Sequence, residues 1–338
     1  MPFTSVYHRV NKWEAKSGRI AYLIPQIAKL ALKRVVVLVT ATQGCEKRVT
    51  TALKIPNFWR SINTCEGSLT HHSVQGIPVR FFEDFKKYLG ELSKTGLITQ
   101  STFLESGDWI PNFPDFRHYS PATKQWTFEW DKWLKALQKR RPTRTIEDPK
   151  DYSLRADLKD LLIIKELEKN ARKTFAELAP ILGMTLQAVK YRYDRKLVPS
   201  GIVSHFSFDM VPYPVEVSAY HELMLEFPSR KAMNSFFTLV NELFFVLGVA
   251  KVLERTALLV RTYILQSQLR SMFGFLSQLV RAGVLESYSA VRLEFEGREA
   301  QTISYELFDD EKGWTFDYKK CVAELRKLSK FKEISLTM

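Results

Sequence analysis

The chain repeats itself, and this constrains its architecture more than any other feature. "AVKYRYDRKLVPSGIVSHF" at 188–206 lies over "SVYHRVNKWEAKSGRIAYL" at 5–23, with Val189 on Val6, Arg192 on Arg9 and Gly201 on Gly18, an offset of 183. Further on, Gly96 falls on Gly283 at an offset of 187, and "WTFEWDKWLKAL" from Trp126 echoes "WTFDYKKCVAEL" from Trp314 at 188. Three matches in one order with slowly drifting offsets indicate a tandem duplication, so any unit found in one half must have a counterpart in the other.

The second copy shows what the unit is. "SAYHELMLEF" has the length and alternation of a strand, and "SRKAMNSFFTLVNEL" is a helix with Ser229 near its start. "FFVLGVAKVLERTALLVRTYI" reads as two strands around a Glu254-Arg255-Thr256 turn, "SQLRSMFGFLSQLVRAG" as a helix ending at Gly283, and "VLESYSAVRLEF" as a closing strand. The order is β-α-β-β-α-β, the split βαβ or ferredoxin-like arrangement. The first copy gives the same order from "KRVVVLVTA" to "STFLESGDWI". Helices cover only one face of such a sheet, so the two sheets have reason to pack against each other as an intramolecular pseudo-dimer. Trp126, Trp130, Trp133 and Leu137 share a helical face, which predicts an extension helix packing on each unit rather than a base-stacking platform.

Ahead of the second unit, residues 157–203 read as three short helices. Thr174 with Glu177 three residues on is a capping box, and Gly183 supplies a left-handed stop. A third, basic helix starts at Thr185. A short helix, a glycine turn and a basic helix make a helix-turn-helix, whose second helix enters the DNA major groove. The stretch 138–153, with Pro142 and Pro149 and the basic run Lys139, Arg140, Arg141 and Arg144, reads as a solvated linker.

"DLKDLLIIKELEKNARKTFAELAPILGMTLQAVKYR", with Asn170-Ala171-Arg172 and "FAELA", and with Arg192 upstream of Gly201-Ile202, resembles the helix-turn-helix of Lrp/AsnC-type transcription regulators. In that family it precedes a βαββαβ domain that senses ligands and oligomerises. The resemblance covers 157–299 in full and 5–107 without the first two helices. It implies an α+β fold class: a winged or plain helix-turn-helix DNA-binding domain plus two ferredoxin-like βαββαβ domains. The expected divisions are 1–20, a remnant recognition helix; 21–107, the first ferredoxin-like domain; 108–153, a helical extension and linker; 154–203, the helix-turn-helix; 204–299, the second ferredoxin-like domain; and 300–338, a C-terminal helical extension. On this alignment Met1 falls at Met184, so the opening helix matches a recognition helix lacking its two supporting helices. Either a continuation resembling 157–183 lies upstream or the first reader has decayed, which would make Arg9 and Lys12 relics.

The resemblance further implies double-stranded DNA as partner, a small-molecule effector of unknown identity, and a homodimer formed through the ferredoxin-like domains. Where the family carries its characteristic turn between the second and third strands, this chain has "CEGSLTHH" and "LERTALLV", a departure that bears on free amino-acid binding. Gln187, near the start of the third helix, suits bidentate pairing with adenine, while Lys190, Arg192 and Arg195 suit phosphates; Thr185 and Tyr191 complete the DNA-binding set. Gln187, Lys190, Tyr191 and Arg195 should face away from Leu186, Val189 and Tyr193.

Charge agrees with a polyanionic partner: 50 Lys and Arg against 37 Asp and Glu give a formal +13. Three scattered cysteines form no CxxC pair, so neither a disulfide framework nor a zinc site is indicated, and a reducing cytoplasm fits. The longest apolar runs are interrupted by charge before spanning length, so no membrane segment is expected. There is no GxGxxG, phosphate loop or HExxH. His71 and His72 fall on a strand and point to opposite faces, a poor arrangement for a shared metal, and are expected at the surface or an interface. No catalytic, cofactor or metal residue is therefore expected, and the chain reads as a regulator and not as an enzyme. Two alternatives stand beside it. One is the enzymatic branch of the same fold, the Lrp-like decarboxylases of haem biosynthesis, which pair two such units and act on tetrapyrroles. The other is a sensor or scaffold that no longer binds DNA.

Overall fold

The computed structural model describes residues 21–330 apart from 114, 124, 140 and 209–212, together with residues 5, 8, 9, 11 and 12. Most of the remnant recognition helix expected over 1–20 lies outside the described residues; the five described there are helical. After a short strand β1 (Tyr22–Pro25), the first copy runs β2 (Leu32–Ala41), α1 (Glu46–Lys54), β3 (Trp59–Glu66), β4 (His71–Pro78), α2 (Phe82–Lys94) and β5 (Ile98–Ser106). An extension helix α3 (Trp130–Lys139) follows, then α4 (Leu158–Lys169), α5 (Phe175–Ile181) and α6 (Leu186–Arg192). After strand β6 (Val203–Ser207), the second copy runs β7 (Ser218–Glu226), α7 (Arg230–Leu239), β8 (Val246–Val252), β9 (Ala257–Leu265), α8 (Leu269–Arg281) and β10 (Ser287–Leu293), and α9 (Tyr318–Lys330) ends the described chain. Both copies have the βαββαβ order expected from alternation and helical period.

Strand alternation builds the cores. In β2, Val35, Val37 and Val39 pack under α1 and α2 with Leu53, Phe85, Tyr88 and Leu92. The opposite parity, Arg34 and Val36, points at the other sheet, where Val36 meets Val74, Val252 and Leu259. The second unit mirrors this, with Leu223, Leu225, Val260 and Ile264 under α7 and α8. Each sheet has the order β3-β4-β2-β5 or β8-β9-β7-β10, all antiparallel. The sheets also join at both edges: β10 pairs β3 at Arg292↔Glu66 and Leu293↔Cys65, and β8 pairs β5 at Val252↔Ser106. The eight strands therefore close into a ring. The strands that lead into the two units, β1 and β6, pair with each other across the duplication, Leu23 opposite Phe206.

The extension helices pack where sequence repetition alone does not indicate. Helix α3 follows the first copy, yet its Trp133, Leu134 and Leu137 are buried in the second unit's core, Trp133 edge-on to Phe236 and Phe275. Helix α9 follows the second copy, yet Cys321, Val322 and Leu325 are buried in the first unit's core. Each copy thus supplies the third covering helix of the other. The segment expected to be a solvated linker is tied down for the same reason. Ile146 is buried against the second unit, the backbone N–H groups of Thr143 and Arg144 donate to Thr238 Oγ1, and Asp148 accepts from Lys251 Nζ at 2.5 Å. Arg144 itself lies over the Phe237 ring.

Candidate nucleic-acid interface and a cavity beneath it

The three helices α4, α5 and α6 owe their ends to side-chain caps. Asp157 and Asp160 form a capping box at α4, and Thr174 and Glu177 form one at α5. Gly183, at φ +59°, makes the turn, and Thr185 Oγ1 accepts the Ala188 N–H at 3.1 Å to start α6. Asn170 Oδ1 accepts the Arg172 N–H at 2.9 Å, closing the bend between α4 and α5. Leu161, Ile164, Leu178, Val189 and Leu197 form the helix-turn-helix core, which continues into Leu23, Leu30 and Trp314 of the scaffold.

Of the six residues expected to contact DNA, Thr185, Gln187, Lys190, Tyr191 and Arg195 are exposed, Tyr191 by 64%. Thr185 also caps the helix. Arg192 is different: its Nη1 donates to Asp157 and Asp160 at 2.7 Å, and Asp160 is fully buried. Its charge is committed to the start of α4, against the phosphate contact expected of it. Lys196 joins the same pair of carboxylates at 3.1 and 3.3 Å. Burial tends to raise the Asp157 carboxyl, but hydrogen bonds from Arg192, the Asp160 N–H and Lys196 outweigh it and hold the group well below its usual range. Leu186, expected to face inward, is 41% exposed beside Gln187, where an apolar side chain can meet a thymine methyl.

Below this reader lies a cavity of about 410 Å³ at the mouth of the strand ring. Its walls come from every part of the molecule: β1, Arg34 of β2, Arg60 of β3, Arg261 of β9, Arg298, and Glu168 and Lys169 at the end of α4. His71 and His72 do point to opposite faces, but neither is at the surface, because both sides of β4 are covered. His71 bonds Thr50 Oγ1 at 2.9 Å under α1. His72 enters the space between the sheets, 3.7 Å from Glu222, which accepts from Arg261 Nε at 2.7 Å. Burial pushes His72 down and so keeps the imidazole neutral near pH 7. Burial also tends to raise Glu222, but Arg261 foremost, then His72, reverse it and keep it ionised. Sequence reasoning did not find Arg34, Glu222 or Arg261; a charged residue in a strand otherwise apolar on both faces was the available signal. Among the described residues no group of three or more His, Cys, Asp and Glu is placed to hold a metal, and no helix is long and apolar enough to cross a membrane.

Comparison with known proteins places these features in a class. Residues 157–195 match the AsnC-type helix-turn-helix domain. The whole α+β arrangement has the fold of the siroheme decarboxylase NirDL, with 10% identity, TM-score 0.53, and 94% of this chain and 87% of that one covered. NirDL in co-complex with an iron-uroporphyrin III analogue gives 9% identity, TM-score 0.54 and the same coverage. AsnC of E. coli aligns over 40% of this chain and 91% of its own at 17% identity, with a TM-score of 0.30. No curated protein matches at the level of sequence. The chain thus carries an AsnC-type helix-turn-helix on a duplicated ferredoxin-like scaffold. The expectation that such a chain is not an enzyme is corrected here: this fold, over nearly the full length, includes a decarboxylase.

Proposed function

We propose that the protein is a cytoplasmic, sequence-specific DNA-binding transcription regulator in which a duplicated scaffold presents the AsnC-type reader. The observation that carries this reading is the exposed run Gln187, Lys190, Tyr191 and Arg195 on a doubly capped helix-turn-helix. Gln187 reads base edges, Lys190 and Arg195 hold phosphates, and Thr185 and Tyr191 flank them. Reading a palindrome calls for a homodimer, and since the ferredoxin-like sheets already use their faces and edges within one chain, the dimer contact falls on other surfaces.

Fluorescence anisotropy with duplexes selected from a random pool tests this. The Lys190→Ala/Arg195→Ala variant should bind more weakly, with the slope of log K against log salt reduced by about 2, because each phosphate contact contributes about one unit. Unchanged affinity and slope at moderate salt sink the proposal.

A second reading, decarboxylation of a tetrapyrrole, is favoured by one observation, the NirDL fold match over 94% of the chain. Titration with iron-uroporphyrin III, followed by its Soret band and by release of carbon dioxide, separates the two.

A further inference from the structure

The geometry points to the 410 Å³ cavity as a binding site for a small organic polyanion, whose occupancy biases the helix-turn-helix above it. The first support is a buried cation without a direct ion pair, its charge met only at longer range by Glu222 and Asp108. Arg34 is 7% exposed, yet among the described residues it forms no ion pair; it donates to Ser106 Oγ at 2.6 Å and lies over the Trp109 ring at 5.5 Å. Buried charges are ordinarily paired, because desolvation is otherwise uncompensated. Burial accordingly lowers this guanidinium to about 10. The second is a pair of buried donors without acceptors. Among the described residues Arg261 Nη2 and Arg60 Nη1 have no hydrogen-bond partner, although the other side of each guanidinium is bound, to Glu222 and to Glu168. Arg34, Arg60 and Arg261 all line this one cavity. Five basic residues line it against two acidic ones, Asp108 and Glu168.

The shape is maintained by a close approach. Gly248 leaves room for Trp109, since a Cβ there would stand 2.4 Å from the indole ring. Arg261 stacks on that ring at 5.2 Å, so Trp109 sets the separation of the two guanidinium groups. Guanidinium forks suit carboxylates and phosphates alike, and the volume, near the lower end for small-molecule sites, admits a compact ligand.

Coupling to the reader follows from who lines the cavity. Glu168, which holds Arg60 with one oxygen and accepts the Ile303 N–H at 2.7 Å with the other, ends α4, the first helix of the reader. An anion that draws Arg60 Nη1 inward acts on the contact that anchors α4. This second half rests on the DNA-binding function proposed above; the binding site itself does not.

Citrate and inorganic phosphate are the probes, used with the full chain at constant ionic strength against sodium chloride. Citrate should raise Tm by several degrees and give a saturable calorimetric isotherm. Arg34→Met should abolish that response; because it also takes a favourable charge from beside Asp108 and Glu222, a variant that leaves every charge in place keeps the test independent of its stability. Ala300→Phe, filling the cavity from its exposed rim without touching a charge, should weaken citrate binding at least tenfold. Stabilisation by phosphate alone assigns the site to the bare anion and overturns the organic ligand. A response to citrate no greater than to chloride, or equal in Arg34→Met, overturns the site. Saturating citrate should change duplex affinity several-fold in the wild type only; unchanged affinity overturns the coupling. Citrate binding by a protein that binds no duplex would refute the regulator and leave the site standing.

Discussion

Arg192 shows how one residue can look like a ligand-binding group and serve as a joint. Its position in a basic recognition helix suggests a phosphate contact, and only the fold reveals Asp157 and Asp160 beneath it, 35 and 32 residues earlier. Replacing Arg192 with Met should therefore act on folding, whereas Lys190 is free to act on DNA. Asp160 is fully buried and would keep the Asp157 N–H at 3.2 Å and, of its charged partners, only Lys196 at 3.3 Å, so the loss should be about 2–4 kcal/mol, read as a lower urea midpoint. The pH dependence has a definite sign. Asp157 is held below its unfolded value of about 3.9, so its stabilisation is present above that pH and is lost as pH falls below it. The wild-type midpoint should fall progressively as pH drops below about 4 and that of Arg192→Met less so; equal slopes would show that Arg192 does not carry the pair.

At the scale of elements, what was legible in the sequence was local. The apolar run from Val35 marked β2 as a strand without saying which residues face the helices, and capping residues marked α5 and α6. What was not legible was choice of partner. The repeated "WTF" segments announce an apolar helix after each copy, but an apolar face carries no address, and both helices cross to the other unit. Closure of the ring explains the exchange: each copy's last strand ends against the other copy's sheet, so the chain leaving it is already on the other side. The cavity was hidden for the same reason, since Arg34 and Arg261 come from strands in different copies. The exchange is testable by hydrogen exchange. Leu325→Ala, at a fully buried position of α9, should cost about 2–4 kcal/mol. It should lower protection in α1 and α2 of the first unit while sparing α7 and α8 of the second. Loss of protection in the second unit instead would mean that the helix covers its own copy.

For the whole molecule, duplication has converted what a symmetric dimer does with two chains into the internal architecture of one. The strand ring, the β1–β6 pair and the exchanged helices all cross the junction between copies, and the helix-turn-helix that follows the junction packs beside β1 of the first copy, the Ala171 N–H donating to the Ala21 carbonyl at 2.7 Å; the C-terminal extension crosses too, Trp314 Nε1 donating to the Leu30 carbonyl at 2.7 Å. Neither half buries its own core. With α3 on the second unit and α9 on the first, a half expressed alone exposes the apolar patches left by the missing helix and by the facing sheet, and such patches drive association. Residues 1–150 and 151–338, produced as two chains with a tag on one, should therefore copurify in a one-to-one complex that unfolds in a single transition. Either half alone should aggregate or self-associate through the same edges. A soluble, monomeric second half with native-like stability would show that the copies are independent domains, and would also remove the cavity's walls from the mechanism proposed for it, since β2, β3 and β9 could not then be held together by the fold.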